Sequence, residues 1–308
     1  MILGGDLGGT KTLLALAERT DGKPRIIRKQ RYASADYPDF DSLLGDFLSD
    51  APTIENACFG LAGPTDGRRA KLTYLPWQLS ANAIGRRFAI GNVHLANDFA
   101  TAAHGLPLIG AEALIPLQTG IPLTEAPRLV IGAGTGLGVA GLIADGGRHR
   151  VIPGEGGHIG FSPQTAEQLA LAQWLLRQRE RVTTEDIVSG PGLTRIHRFL
   201  GGASLPPKAI ADAAIHGAEP VAIATVDLWL ACFGAFAGDL ALHWLARGGV
   251  YLAGGVAGKL MPHVDLSPFL KAFNNKREHA HVAMDIPIQL ITDEELGLKG
   301  ALLTAAGR

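Results

Sequence analysis

Two segments of this chain share one build. ILGGDLGGTKTLLAL (residues 2–16) and LVIGAGTGLGVAGLI (residues 129–143) each read as an apolar run, a glycine-rich bend and a second apolar run. Apolar runs on both sides of a tight glycine bend predict a strand-turn-strand hairpin. Consecutive glycines also leave backbone amides open to a single anion, because no side chain blocks the approach. A chain with two such hairpins is expected to form two similarly built domains facing each other across a cleft.

The spacing rules out two common nucleotide loops. Gly4 and Gly9 are five apart, but Thr10 intrudes before Lys11, so the first segment is not a Walker A loop. Gly132, Gly134, Gly136 and Gly138 alternate, and Leu137 stands where a dinucleotide fingerprint needs its third glycine. What both fit is a hairpin whose tip cradles phosphate. At the first bend Asp6 sits beside Gly8, Gly9 and Thr10, where a lone carboxylate suffices to hold a hydrated magnesium ion. The second bend offers Gly132, Gly134, Thr135 and Gly136. A pair of tight hairpins without ligand is the plain alternative. Gly254 and Gly255 end the run VYLA, and ligands in open α/β sheets collect beyond the carboxyl ends of strands, which suits a purine ring.

Short apolar runs alternate with longer helix-like segments, the pattern of an α/β fold. Strands are predicted at 2–5, 57–62, 92–96, 128–132, 138–143, 249–253 and 287–291, and helices at 38–49, 79–88, 98–105, 165–180, 207–216, 220–246 and 294–306. Loops are expected at 63–67, 105–127, 145–158 and 200–207. A length of 308 residues predicts two domains. With 47% hydrophobic and 19% charged residues and a net charge of -1, the chain can bury a large core and has no electrostatic case for nucleic acid or an anionic membrane. Cys58 and Cys232 lie in apolar surroundings and read as buried free thiols. No basic start followed by an apolar stretch marks a signal peptide, and the run LWLACFGAFAG (228–238) is too short to span a bilayer. A cytoplasmic protein is expected.

Three polar clusters remain. In VHLANDFATAAHG (93–105), Asn97 and Asp98 stand where an apolar strand gives way to a helix. Either residue can cap that helix, and the pair can equally carry chemistry. VIPGEGGHIGF (151–161) presents Glu155 and His158 among small residues. Pro153, Gly154, Gly156 and Gly157 argue against the helix that a metal site of Glu-x-x-His type would need, leaving a solvated loop or a loop against a flat polar ligand. In TTEDIVSGPGL (183–193), Thr183 and Asp186 read as a capping box, which makes Glu185 an ordinary first-turn acid.

The motifs NDF, GAGTGLG, PGEGGH and SGPGL, in this order behind GGDLGGTKTLLAL and ahead of ELGLKGALL, resemble the bacterial glucokinases that carry no zinc-binding cysteine cluster. Those enzymes form part of the hexokinase branch of the actin-like ATPase superfamily. The related repressor-and-kinase group also has a Glu-x-x-His element, but its cysteine cluster is absent here. The resemblance implies two actin-like (ribonuclease H-like) domains flanking a substrate cleft: 1–108 plus 291–308, and 109–290. It implies ATP and Mg2+ as cofactors, with Asp6, Gly8, Gly9 and Thr10 as the first phosphate segment and Gly132, Gly134, Thr135 and Gly136 as the second. Asp6 would hold the metal through water, and Gly254 and Gly255 would lie at the adenosine side. Asn97, Asp98, Glu155, His158 and Glu185 would bind the sugar, with Asp98 as catalytic base; Glu185 enters solely through this resemblance. The family's P-x-x-G hairpin corresponds to Pro64–Gly67. One departure is Tyr74 in KLTYLPW, where the family usually has Asn after the Thr, and it bears on which hexose is accepted.

The implied activity is ATP-dependent phosphorylation of glucose at the 6-hydroxyl. Closure of two domains over the sugar would keep water from the same phosphorus. Rival readings are a kinase for another hexose or an acylamino sugar, a catalytically silent sugar-sensing regulator, and an actin-like filament module. Partners are expected to be a small-molecule sugar, with no nucleic acid and no membrane; relatives of this kind are often dimers, so a homodimer is allowed.

Overall fold

β1 (Ile2–Leu7) turns back into β2 (Lys11–Thr20), and β3 (Lys23–Ala33) follows antiparallel to β2. Past α1 (Phe40–Leu48), β4 (Asn56–Leu61) returns parallel to β1. A short ribbon of β5 (Arg69–Lys71) and β6 (Gln78–Ser80) precedes α2 (Ala81–Arg87), β7 (Asn92–Asn97) and α3 (Asp98–Gly105). The resulting five-stranded sheet has the order β3-β2-β1-β4-β7. In this computed structural model the described residues are 1–20, 23–50, 52–63, 65–73, 75–146 and 148–307. Pro64 of the P-x-x-G element and Tyr74 lie outside them.

The chain continues through β8 (Leu114–Gln118), β9 (Arg128–Ala133), β10 (Leu137–Asp145), β11 (Arg148–Gly154), α4 (Ala166–Leu176), α5 (Gly190–Phe199), α6 (Pro207–Ile215) and α7 (Pro220–Trp244). It then forms β12 (Gly249–Ala253), α8 (Gly255–Leu260), α9 (Ser267–Asn274), α10 (Ala280–Met284), β13 (Ile288–Ile291) and α11 (Leu296–Ala306). Its second large sheet has the order β11-β10-β9-β12-β13-β8. Two compact units result: Met1–Gly110 with Asp293–Arg308, and Ala111–Thr292. Each sheet runs three antiparallel strands into parallel ones, β1/β4/β7 in the first unit and β9/β12/β13 in the second. That repeated plan is the ribonuclease H-like arrangement of actin-like proteins.

The period of two in the strands sorts the first unit's core into two layers. Leu3, Leu7, Leu14, Leu16, Phe59 and Leu61 point to α1, where Phe40, Leu43, Leu44 and Phe47 meet them. Ile2, Leu13, Ala15, Ala17 and Cys58 point the other way, onto Leu298, Ala301 and Leu302 of α11. Emptying a site such as Leu302 would cost about 2–5 kcal/mol. α11 and α3 cross nearly backbone to backbone: a Cβ added at Gly300 would lie 1.6 Å from the carbonyl oxygen of Thr101, so no larger residue fits. This contact seats α3, and with it Asp98, against the closing helix. In the second unit α7 is the central core helix. Among the described residues it alone is long and apolar enough to cross a membrane, and 72% of its most apolar window is buried inside the protein. Both cysteines are buried and outside any disulfide, and burial pushes the Cys232 thiol up.

The loops expected at 105–127 and 145–158 contain strands β8 and β11, and β3 also escaped the period-two pattern. All three are sheet edges. An edge strand tolerates proline and gains from charge, which hides its apolar alternation: β8 holds Pro116, β11 holds Pro153, and β3 is studded with Lys and Arg. The helix expected at 79–88 begins at Ala81, because Ser80 ends β6 and caps α2. α5, α8, α9 and α10 lie outside the predicted helices: α8 and α10 are only 6 and 5 residues long, and the amphipathic α5 and α9 open on Gly-Pro-Gly and Ser-Pro, which break the helical pattern.

Candidate active site

In the first unit the carboxyl ends of the parallel strands collect the polar side chains. Asp6 on β1 is in register with Gly60 on β4, and Gly60 with Ala96 on β7. Two strand spacings therefore put Asp6 about 10 Å from the Ala96-Asn97 turn into α3. The bend at Gly8 is closed by its amide donating to the Lys11 carbonyl at 3.0 Å. A buried pair of hydroxyls braces it: Ser34 Oγ donates to the Gly8 carbonyl at 2.8 Å and lies 3.0 Å from Thr12 Oγ1, while the Ser34 amide donates to the Thr10 carbonyl at 3.1 Å. Ser34 and Thr12 are fully buried. No local pattern marks Ser34 as part of the bend; it arrives there 26 residues later along β3.

Asp6 is half-buried against the first turn of α11, where a Cβ on Gly297 would lie 3.1 Å from its carboxyl. Desolvation raises it to about 6, and the Lys11 charge pulls the other way. Among the described residues no hydrogen bond or ion pair engages this carboxylate. Lys11 itself pairs with Glu294 at 3.2 Å. A desolvated, unpartnered carboxylate beside a glycine bend fits a hydrated divalent cation.

The junction of β7 and α3 separates two side chains that the sequence left undivided. Asn97 is the cap: its Oδ1 accepts from the amides of Phe99 at 2.9 Å and Ala100 at 3.1 Å. Asp98 is the first residue of α3, half-buried, with Oδ1 sharing the Phe99 amide at 2.9 Å. The turn after Pro64 leans on the same strand, since the Leu95 amide donates to the Gly67 carbonyl at 3.1 Å.

In the second unit the bend Gly134–Gly136 joins β9 to β10 with Ala133 facing Leu137. β12 lies beside β9, with Ala253 facing Gly132, so Gly254 and Gly255 emerge next to the bend. Gly254 has φ +94, and a Cβ there would lie 2.4 Å from the Ala133 carbonyl oxygen, so only glycine lets these strand ends touch. Glu155 precedes and His158 ends a single 3-10 turn, Gly156–His158; both are exposed, with His158 Nε2 and Glu155 Oε2 3.9 Å apart. The backbone here is a three-residue 3-10 turn and not an α-helix, as Pro153 and the glycines predict.

Glu185 departs from its sequence reading. Thr183 and Asp186 make half of the capping box: the Thr183 amide donates to Asp186 Oδ2 at 2.9 Å, but the Thr183 hydroxyl donates to the same oxygen at 3.0 Å and the Asp186 amide goes to the Thr183 carbonyl. No α-helix follows; the turn ends, and α5 begins at Gly190 with Ser189 as its cap. Freed from a helix face, Glu185 turns inward. Its Oε2 accepts from the Leu137 amide at 2.8 Å, and its own amide donates to the Gly157 carbonyl at 2.9 Å. One residue, through its side chain and its backbone amide, thus ties the glycine bend to the Glu155–His158 turn.

The glucokinase family model matches residues 3–307. The glucokinase of Nostoc punctiforme is 36% identical over 337 aligned positions, covering 99% of both chains, and that of Synechocystis is 33% identical, covering 99% of this chain and 97% of its own. The crystal structure of a glucokinase from an Antarctic psychrotroph superposes with a TM-score of 0.87 at 28% identity, covering 100% of this chain and 99% of that one. A Balamuthia mandrillaris glucokinase solved in complex with glucose gives 0.84 at 25%, covering 99% and 93%.

The chain belongs to the glucokinase family. It is therefore an enzyme, a sugar phosphotransferase, and not a filament module or a silent regulator. As a glucokinase, it carries its paired glycine hairpins on two units of one plan, with the Asn97-Asp98 pair on the first and the Glu155, His158 and Glu185 set on the second. What sequence reasoning missed are the braces: Ser34, Thr12 and the Leu137 amide.

Proposed function

We propose that this chain transfers the γ-phosphoryl group of ATP to the 6-hydroxyl of glucose, with Asp98 taking the hydroxyl proton. The observation that carries this reading is the division of labour at the start of α3. Asn97 caps the helix through Oδ1, so Asp98 is not required as the cap and its carboxylate serves the chemistry. The Asn97 amide nitrogen is left to donate to a neighbouring sugar oxygen.

Phosphoryl transfer asks for positioning and charge stabilisation rather than covalent catalysis by the protein. Asp98 makes the alcohol a better nucleophile as its proton leaves. Glu155, His158 and Glu185 bind further sugar hydroxyls and fix the reacting oxygen; such orientation offsets about 7–11 kcal/mol in favourable cases. Gly9 and Thr10 on one bend and Thr135 and Gly136 on the other offer backbone amides to the phosphates, while Gly8 and Gly134 use theirs to close the bends, and Gly254 and Gly255 border the adenosine. Magnesium, when bound through water to Asp6, neutralises phosphate charge.

Asp98→Ala should lower kcat by about 10² to 10⁴ while glucose binding stays measurable by calorimetry. Near-normal turnover would remove Asp98 from the mechanism. Coupled measurement of ADP release with glucose, mannose, fructose and N-acetylglucosamine fixes the preferred sugar, the point on which Tyr74 departs from the family pattern.

A further inference from the structure

We infer that Glu185 is a positioning residue for the Gly134–Gly136 phosphate bend as well as a sugar ligand, so that sugar occupancy and the phosphate cradle are coupled through one carboxylate. The sugar half of this statement rests on the functional reading above; the bend half rests on geometry within one unit.

The segment 185–190 grips the bend at both ends. Glu185 Oε2 accepts from the amide of Leu137, the first residue after the bend, at 2.8 Å. At the entrance the Gly190 amide donates to the Gly134 carbonyl at 2.8 Å. Within the bend the Gly134 amide donates to the Gly136 carbonyl at 2.8 Å, so clamping the ends sets where the remaining amides point. The grip is itself stiff. Ser189 Oγ donates to the Glu185 carbonyl at 2.7 Å and accepts from the Gly192 amide at 3.1 Å, and Ile187 and Val188 between them are fully buried.

The Glu185 carboxylate is the one part of this strut that can respond to a ligand. Among the described residues no hydrogen bond engages Oε1, so that oxygen is open to a ligand's hydroxyl. A sugar hydroxyl donating to Oε1 fixes the side-chain rotamer and holds Oε2 on the Leu137 amide. Without sugar, the rotamer is freer and the exit of the bend is less firmly set. Coupling of this kind is reciprocal: whatever glucose does for nucleotide affinity, nucleotide does for glucose affinity.

MgADP binding measured by calorimetry, with and without glucose, on the wild-type protein and on Glu185→Ala and Glu185→Gln tests this. Glu185→Ala should weaken MgADP about tenfold in the absence of any sugar, the effect of losing a hydrogen bond to a charged group. It should also abolish the gain in MgADP affinity that glucose confers. Glu185→Gln keeps an acceptor oxygen for Leu137 and should retain sugar-free MgADP affinity while glucose binds more weakly. A residue that merely supported the fold would lose both ligands together and would not be rescued by Gln. Should Glu185→Ala not fold, hydrogen exchange on the wild-type protein decides: glucose should slow exchange of the Leu137 amide. Wild-type MgADP affinity in folded Glu185→Ala, or Leu137 exchange indifferent to glucose, overturns the inference. Unchanged glucose affinity in Glu185→Ala, with weakened MgADP, instead strikes Glu185 from the sugar site: it defeats the coupling and leaves the bend-positioning result intact.

Discussion

The bend between β1 and β2 is flanked by a carboxylate and an ammonium, Asp6 and Lys11, whereas the bend between β9 and β10 has only glycines and the exposed hydroxyl of Thr135. Both bends join antiparallel strands at the same place in the same sheet plan. They are also braced differently: the first by buried hydroxyls of Ser34 and Thr12, the second by backbone contact with Gly190 and by the Glu185 carboxylate. A shared scaffold therefore supplies amides twice, but only the first bend holds charge of its own. On the proposed reading, chemistry that needs a metal or a charged group would belong to the first, and the second would work by shape and backbone dipoles.

The largest expected effect follows from that asymmetry. Asp6→Asn should lower Mg2+-dependent turnover by about two orders of magnitude, and a variant that keeps wild-type Mg2+ dependence would erase the distinction. The same substitution should stabilise the fold. Asp6 has its pKa raised to about 6 from 3.8, so between those values the native state holds more protons than the unfolded chain and stability falls as pH rises. The penalty is complete above pH 6 and absent below the unfolded value. Asp6→Asn should thus raise the unfolding free energy by about 2–3 kcal/mol at pH 7.5 and by nothing near pH 3, as read from urea titrations at both pH values. Wild-type activity should in turn decline on acidification as this carboxylate protonates, at a pH below 6 because a magnesium ion beside it favours the ionised form.

Gly254→Ala probes the shape-dependent bend. A left-handed backbone and a 2.4 Å approach to Ala133 should cost about 2–3 kcal/mol in stability and raise the KM for ATP more than that for glucose. Equal rises in both constants would mean that this glycine serves the fold alone. Ser34→Ala should have the smallest effect, about 1–2 kcal/mol from the two buried hydrogen bonds its hydroxyl makes, with a rise of about threefold in the KM for ATP. An unchanged KM would show that the Gly8 bend keeps its form without the hydroxyl brace.

Much of the fold was legible because local patterns reported it. The strands of the sheet interiors and the long helices α1, α3, α4, α7 and α11 followed from apolar periodicity, and both hairpins from glycine bends between apolar runs. The edge strands β3, β8 and β11 were not, since one side of an edge faces water and its sequence carries charge and proline instead. Of the candidate site, Asp6, the glycine bends, and the Asn97-Asp98 and Glu155-His158 pairs stood out by composition. Glu185 did not: a capping box beside it pointed to a helix, and the partner that turns it inward, Leu137, lies 48 residues away.

The sequence by itself determined the two hairpins, the α/β order and the motif series that places the chain among glucokinases, because each is written in neighbouring residues. Only the tertiary structure decided which of Asn97 and Asp98 is the cap, how far desolvation raises Asp6, and what Glu185 and Ser34 hold in place. Those outcomes depend on which backbone amides and carbonyls remain without partners after the sheets have formed, and on how much water the packing removes. Residues far apart along the chain settle both.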